Sequence, residues 1–360
     1  MDPADKTHHT LRPCVDRLTP GDPIGHANLT LVPLRGEGYE PLDYQLAAAG
    51  IEAGTLEVTE VSESGSVPEL LAVNTSEHRV LLLDGEELVG AKQNRILNTT
   101  VLLPPKSETK IPVSCVEQGR WRHVSASFAS GGYSPSRLRA RKSRDVTRHL
   151  AAHGLANSDQ GAVWEEVSES LGELRTASPT GAIHDAMEMH QHSLGAYVKA
   201  LPWPDEACGV VAAINGRFVA LDSFDRPETM RQVWPRLVTG YALDAIGRSE
   251  EQGGTFTHRG AQALLDRIGE ITCRPCPTVG VGEDWRFEAE DVVGQALVVQ
   301  ADSTGDPAAE SDDAAAERLC IHLSAFPAAA DREDQRRSRQ ARIQPPSSRG
   351  HRRRPDDSTM

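Results

Sequence analysis

The sequence predicts an α+β protein with irregular ends, and three observations carry that reading. Alternation of period two dominates the first half of the chain, a period near 3.6 takes over after Ser134, and short alternating runs return after about Trp285. Strand-rich, helix-rich and again strand-rich segments fit α+β better than a doubly wound parallel sheet, which needs regular strand and helix alternation. At 360 residues, 38% of them hydrophobic, the chain is long enough to bury roughly three-quarters of its unfolded surface.

The elements follow in order. Met1 to His26 mixes Pro, Gly, Asp and His without periodicity and is expected to be disordered. An α+β domain over 27–326 comes next. Its first strands are expected at Ala27 to Leu34, Thr55 to Val61, Leu70 to Asn74, Val80 to Leu83, Leu97 to Leu103 and Lys110 to Cys115. Helices are expected at Ser136 to His153, Asp159 to Arg175 and Gly181 to Ala200, the second with Trp164, Val167, Leu171 and Leu174 on one face. Asn215 and Gly216 favour a tight hairpin turn between Ala207 to Ile214 and Phe218 to Leu221. Further helices are expected at Pro227 to Ile246 and Gly260 to Ile268, and strands at Trp285 to Ala289, Val292 to Val299 and Leu319 to Phe326. Asp302 to Glu317, with six acids and no base, reads as a solvated loop. The segment 327–360 reads as a disordered basic tail.

Composition narrows the function classes. The formal net charge of −14 conceals an asymmetry: the last 34 residues hold nine arginines against five acids, so the body is more acidic than the whole. Such a body repels phosphate backbones, which argues against nucleic-acid binding. No run approaches the ~18 apolar residues of a membrane span, and the N-terminus lacks the apolar block of a secretory signal. Six scattered cysteines suit a reducing compartment, so a cytoplasmic location is expected. No G-x-G-x-x-G follows a strand and no G-x-x-x-x-G-K-[ST] loop occurs. The sequence identifies no cofactor.

The chemistry-bearing stretch is LLLDGEELVGAKQNRILNTTVLLPP, Leu81 to Pro105. Glu86, Glu87, Lys92, Gln93, Asn94 and Arg95 lie between apolar runs, and KIPVSCVEQGRWRH, Lys110 to His123, ends in Cys115, Glu117, Gln118, Arg120 and Trp121. Antiparallel pairing of Leu97 to Leu103 with Lys110 to Cys115 would return the second block to the first. One sheet end would then gather Glu86, Lys92, Gln93, Asn94, Arg95, Glu117, Arg120 and Trp121. Glu86 and Glu117 are the candidates for acid, base or magnesium chemistry. Lys92, Gln93, Asn94, Arg95, Arg120 and Trp121 are the candidates for ligand binding, the arginines for anions and the indole for stacking. The competing reading is a charged turn whose ion pairs hold the fold.

These strings, together with DQGAVW at Asp159 to Trp164, GVVAAINGRFVALDSF and GYALDA, resemble the ADP-ribosylglycohydrolase and rhodanese-phosphatase associated domain over roughly Ala27 to Gly247. That family is named for its company with enzymes of ADP-ribose and phosphate chemistry. The resemblance implies a phosphorylated, nucleotide-like metabolite as partner, bound and open to hydrolysis, and adds Asp159, Gln160, Trp164, Asp222 and Phe224 as matched positions. The alternative is a non-catalytic sensing or protein-interaction module. The segment 248–326 has no expected counterpart in the family.

Other constellations carry less. Cys115 and Arg120 lack the spacing of a cysteine-phosphatase loop, and Glu117 would put negative charge in its anion cradle. Cys273 and Cys276 form a C-x-x-C without a second ligand pair for zinc. His184, Glu188 and His192 are spaced by four on one expected helix, a pattern that fits either a divalent metal or a solvated face. Arg137, Arg141, Arg144 and Arg148 make a basic stripe expected to pair with acidic surface.

Overall fold

Alternate residues of the hairpin Ala207–Ile214 and Arg217–Phe224 enter two different cores. Val210, Ala212 and Ile214 join one buried cluster and Val211 the other, as the two-residue period of a strand requires, while Cys208, at a register shift between Ala207 and Gly209, joins Val211. Asn215 and Gly216 take φ of 53° and 74° at the turn, the paired positive values that match strand twist. The structure, a computed structural model, describes residues 9–37, 42–62, 65–66, 68–249, 254–300 and 318–328.

The hairpin lies within a ten-stranded antiparallel sheet. Its order is His9–Thr10, Thr272–Pro277, Glu283–Glu288, Val292–Gln300, Arg318–Pro327, Arg217–Phe224, Ala207–Ile214, Leu29–Gly36 and Leu18–Pro20, with Ile24–His26 also on Leu29–Gly36. The helices Arg12–Val15 and His258–Gly269 cover one face around Leu11, Val15, Leu265, Ile268 and Phe287. The helices Ser136–His153 and Pro227–Gly247 pack against the sheet through the other core.

Two smaller sheets carry the polar block. Six strands run in the order Phe128–Tyr133, Glu86–Gly90, Arg95–Leu97, Ser107–Cys115, Glu69–Asn74 and Leu56–Glu60. Three more run Val101–Leu103, Arg79–Leu82 and Tyr44–Leu46, the last pair parallel. Both sheets contribute to one apolar core that includes Val58, Leu70, Leu82, Leu88, Leu97, Val101 and Phe128.

The expected α+β class is observed, with four local departures. Residues 9–26, expected to be unstructured, form three short strands and a helical turn, because Leu11, Cys14, Val15 and Leu18 are buried against the large sheet. The expected strand Leu97 to Leu103 is two strands in two sheets. It breaks at Asn98–Thr100, whose side chains bond to Ala156 O, Asp284 and His322 instead of continuing a ladder. The expected helix Gly181 to Ala200 is two, Ile183–Met189 and Gln191–Ala200, broken at His190, whose Nε2 lies 3.1 Å from the Leu174 carbonyl. Glu86–Gly90, expected as a polar connection, is an internal strand with a neighbour on each side. The expected loop Asp302 to Glu317 and the tail beyond Ala328 lie outside the described residues.

A buried ionic network joins these layers. Arg139 donates to both carboxylate oxygens of Asp222 at 2.9 and 2.6 Å and to Asp84 at 3.4 Å, and its guanidinium lies over the rings of Tyr133 and Phe326. Lys142, one turn along the helix, donates to Asp84 and to Leu97 O. Tyr241 donates to Asp222, and His322 bridges Asp222 to Thr100. Burial alone would raise the Asp222 carboxyl, but Arg139 outweighs it and holds the group well below the ordinary carboxylate range. Burial pushes Lys142 down to about 8 against the opposing pull of Asp84. Gly85 is required beside this network: its φ is 79°, and a Cβ there would stand 2.7 Å from the Arg139 side chain.

Two outcomes test this layer. Arg139→Met leaves Asp84 and Asp222 short of their shared cation and should lower unfolding free energy in urea by about 3–5 kcal/mol; a loss below about 1 kcal/mol would contradict the role given to the network. Asp225 is buried, takes the Tyr44 hydroxyl at 2.5 Å, and is pushed up by burial to about 6. Its folded value lies above the unfolded one of about 3.9, so the folded state holds the extra proton between them and stability should fall as pH rises from about 4 through 6. Asp225→Asn should flatten that stretch of the stability profile measured by thermal melting.

Candidate functional site

Antiparallel register brings most of the expected site together. Arg95 stands opposite Cys115, and Val116 N–H donates to Asn94 O just beyond the paired strands at 3.1 Å. The segment after Cys115 therefore runs back along Gln93 and Asn94. Glu117 is bridged to Ala182, and Gly119 N–H donates to Thr180 O at 2.7 Å, so the polar segment is pinned on its far side as well.

At the centre, Arg120 and Glu117 pair through two contacts, Nε to Oε1 at 2.8 Å and Nη2 to Oε2 at 2.6 Å. The remaining Arg120 donors go to Ala91 O, Arg122 O, Gly90 O and Asn94 Oδ1. Asn94 also gives its backbone N–H to Glu117 at 3.1 Å. Burial raises the Glu117 carboxyl, but the Arg120 and Asn94 donors outweigh it and leave the group below its ordinary value. A carboxylate so held is a poor proton acceptor, and a guanidinium so committed has no donors left for an anion. These two groups knit the loop.

Arg95 differs. It is wholly buried, Nη1 donates to Gln93 Oε1 at 2.8 Å and to Cys115 Sγ at 2.6 Å, and Nε and Nη2 have no hydrogen-bond partner. Glu60, a residue with no signal in the local sequence pattern, lies 3.8 Å from Nη2. Over this group sits Trp121, half exposed, with its ring centroid 5.7 Å from the Arg95 guanidinium and 5.4 Å from Lys92 Nζ. The result is a shelf of two cations under an indole whose outer side faces solvent. Burial pushes the Cys115 thiol up to about 11, so it is not a thiolate nucleophile at neutral pH.

Glu86 does not share the cluster. It takes hydrogen bonds from Leu83 N, Ser130 and Arg236, the last at 2.5 Å, and contacts none of the other seven candidates through them. Successive strand residues face opposite ways, so Glu87 points elsewhere, to His184 Nδ1 at 2.9 Å. His184 lines a cleft of about 640 Å³ with Gly132, Met187, Leu194, Val198 and Thr239.

The additional matched positions have structural partners. Asp159 caps the Gln160–Glu173 helix, and Gln160 exchanges two hydrogen bonds with the Cys115 backbone like a neighbouring strand. Asp222 belongs to the buried network, and Phe224 stacks on His322 at 4.8 Å. Trp164 lines a smaller cavity of about 310 Å³ beside Gln118. Cys273 and Cys276 fall in different buried clusters, and among the described residues no group of three His, Cys, Asp or Glu side chains could hold a metal. The helix break at His190 interrupts the His184, Glu188, His192 spacing. Of the basic stripe, Arg137, Arg141 and Arg148 pair with Glu166, Glu169, Glu173, Glu165 and Glu288. No helix among the described residues is long and apolar enough to cross a membrane.

Compared with known proteins, residues 17–326 match the model of the ARG and Rhodanese-Phosphatase-superfamily-associated Protein domain. The match extends beyond 27–247 in both directions and takes in the last strands of the large sheet. Neither the curated proteins nor the solved structures give a match.

Glu117→Gln tests whether that carboxylate holds the loop. It leaves the Arg120 cation without its counter-charge and should cost about 3–5 kcal/mol at pH 7. Because the folded value lies below the unfolded one of about 4.3, the contribution is present above that pH and is lost as pH falls through the folded value. The difference between variant and wild-type melting temperatures should therefore narrow below about pH 4; a difference constant from pH 7 to 3 would contradict the ion pair.

Proposed function

The chain belongs to the ARG and Rhodanese-Phosphatase-superfamily-associated Protein domain family, and from that premise we propose that it binds a phosphorylated, nucleotide-like metabolite related to ADP-ribose and senses it without turnover. The observation that carries this reading is the half-exposed Trp121 ring stacked over Lys92 and Arg95, the latter with two guanidinium nitrogens that make no hydrogen bond. A planar base stacks on the open side of the indole, and a phosphate meets the positive field of the two cations. Gln93 orients Arg95 through its amide oxygen, and Asn94, Glu117 and Arg120 hold the strand end and the loop in register.

Binding without hydrolysis follows from the state of the carboxylates. Glu117 is engaged by Arg120 and Asn94, and Glu86 is held by Arg236 away from the shelf. Glu117 is held below its ordinary value by those donors, and Glu86 does not reach a ligand on the shelf, so neither serves there as a general base. The protein's part in the chemistry of its company is then recognition of a metabolite.

ADP-ribose, AMP and inorganic phosphate distinguish base stacking from phosphate attraction in a thermal-shift titration. ADP-ribose should raise the melting temperature saturably, by an amount equivalent to about 2.7 kcal/mol at a hundred times Kd, with phosphate much weaker. Trp121→Ala, a change at an exposed side chain, should weaken ADP-ribose about tenfold or more. Chromatography of the incubated ligand should recover it intact. Absence of any saturable shift, or equal affinity in the Trp121 variant, would overturn the proposal.

A further inference from the structure

A second site lies against the helices Ile183–Met189 and Gln191–Ala200, and it shares no residue with the cationic shelf. The cleft of about 640 Å³ beside His184 is the size of a small-molecule pocket, roughly 300–1,000 Å³, and such pockets combine apolar walls with a few placed polar groups. Met187, Leu194, Gly195 and Val198 supply apolar lining. His184 keeps 28% of its side chain exposed, so its ring is within reach of a molecule in the cleft.

The imidazole is held ready as a donor. Glu87 is wholly buried on an internal strand, and its Oε2 lies 2.9 Å from His184 Nδ1. An ionised carboxylate only accepts, so Nδ1 carries a proton and the ring orientation is fixed. That hydrogen bond outweighs partial burial and raises the imidazole above its ordinary value. Among the described residues, neither the other Glu87 oxygen nor His184 Nε2 has a hydrogen-bond partner. The charged group nearest Nε2 is Glu188 at 3.8 Å, one helical turn along and with its side chain 72% exposed.

The charges around the ring select the ligand. Glu188 and Asp185 lie on its own helix, Asp185 already accepting from Ser178, and Glu87 comes from the strand behind. Lys199 lines the cleft from Gln191–Ala200, whereas Phe128–Tyr133 and Pro227–Gly247 line it with Gly132 and Thr239, which do not titrate. An imidazolium N–H is answered best by an anionic acceptor. With three acids nearby, a single negative charge is tolerated better than the two of a phosphate monoester. The apolar lining then calls for an aliphatic body behind the acid group.

We infer that this cleft binds an aliphatic monocarboxylate, its acid group accepting a hydrogen bond from His184 Nε2 and its chain lying along Met187, Leu194 and Val198.

Calorimetric titration of the full chain with octanoate, acetate, 1-octanol and octyl phosphate tests this. Octanoate should bind saturably; acetate, which lacks the chain, and 1-octanol, which lacks the charge, should bind at least about tenfold more weakly. Only the protonated ring donates from Nε2, so octanoate affinity should fall at least about threefold from pH 6 to pH 8.5, with a proton taken up on binding at the higher pH. His184→Gln should lose the binding, but it also deprives Glu87 of its partner. Gly195→Phe avoids that difficulty: a Cβ there meets nothing within 4 Å, so the variant should melt no lower than wild type while filling the cleft and weakening octanoate at least about tenfold. Glu188→Gln, at an exposed side chain, removes a competing carboxylate and should tighten octanoate about two- to fivefold. Trp121→Ala should leave octanoate binding unchanged, which separates this cleft from the shelf. No saturable heat with octanoate, equal or tighter binding of 1-octanol or octyl phosphate, normal binding by folded Gly195→Phe, or weaker binding by Glu188→Gln would overturn the inference.

Discussion

The six-stranded and ten-stranded sheets are tied together by one costly act, the burial of the Arg139 guanidinium among two carboxylates and two aromatic rings. Asp84 lies just before the strand Glu86–Gly90 of the six-stranded sheet, and Asp222 lies on a central strand of the ten-stranded sheet. Arg139 therefore fixes one layer against the other, and Lys142 supplies the second positive charge for the two acids. Ions of this kind are expensive to bring out of water and do little to raise net stability when fully paired. Their contribution here is register: a shift of either sheet would strand a charge in the interior.

That register is what makes the polar strand end possible. Glu86 and Glu87 can occupy a central strand because each finds a partner on its own side, Arg236 and His184 respectively. Further along, the carboxylate of Glu117 and the guanidinium of Arg120 use up nearly all of each other's bonding capacity. What remains unspent is informative. Two nitrogens of Arg95 are buried without a hydrogen bond, one of them 3.8 Å from the Glu60 carboxylate, as are scattered interior atoms such as the Tyr133 hydroxyl and Arg139 Nε. Native interiors satisfy most of their polar groups, and the proposal of a ligand over Trp121 rests on those two Arg95 nitrogens together with the exposed ring.

Much of this could be read from the chain. The helix Ser136–His153 and the turn at Asn215 and Gly216 were legible because capping, turn chemistry and periodicity agree there. The return of Gln118 to Trp121 toward Gln93 to Arg95 was legible from one antiparallel pairing. Other features were hidden for definite reasons. The strand Glu86–Gly90 carries two adjacent acids, and its burial depends on Arg236 and His184, both distant in sequence. Glu60 next to Arg95 has no local signature at all. Arg139 and Lys142 were obscured by the arginines around them, although their position among Leu138, Val146 and Leu150 marks the inward side of the helix. The N-terminal boundary expected at residue 27 was misplaced because short elements such as Arg12–Val15 take their stability from the sheet they cover.

The break at Asn98–Thr100 has a consequence of its own. Within three residues the backbone leaves one sheet for another, while side chains from the same stretch engage Ser114, the Ala156 carbonyl, Asp284, Gln295 and His322. Such a crossing acts as a keystone for elements made early and late in synthesis. The N-terminal sheets cannot complete their junction until the strands around Asp284 and His322 are in place, so the layers fold cooperatively and fragments cut between the sheets should not mature separately.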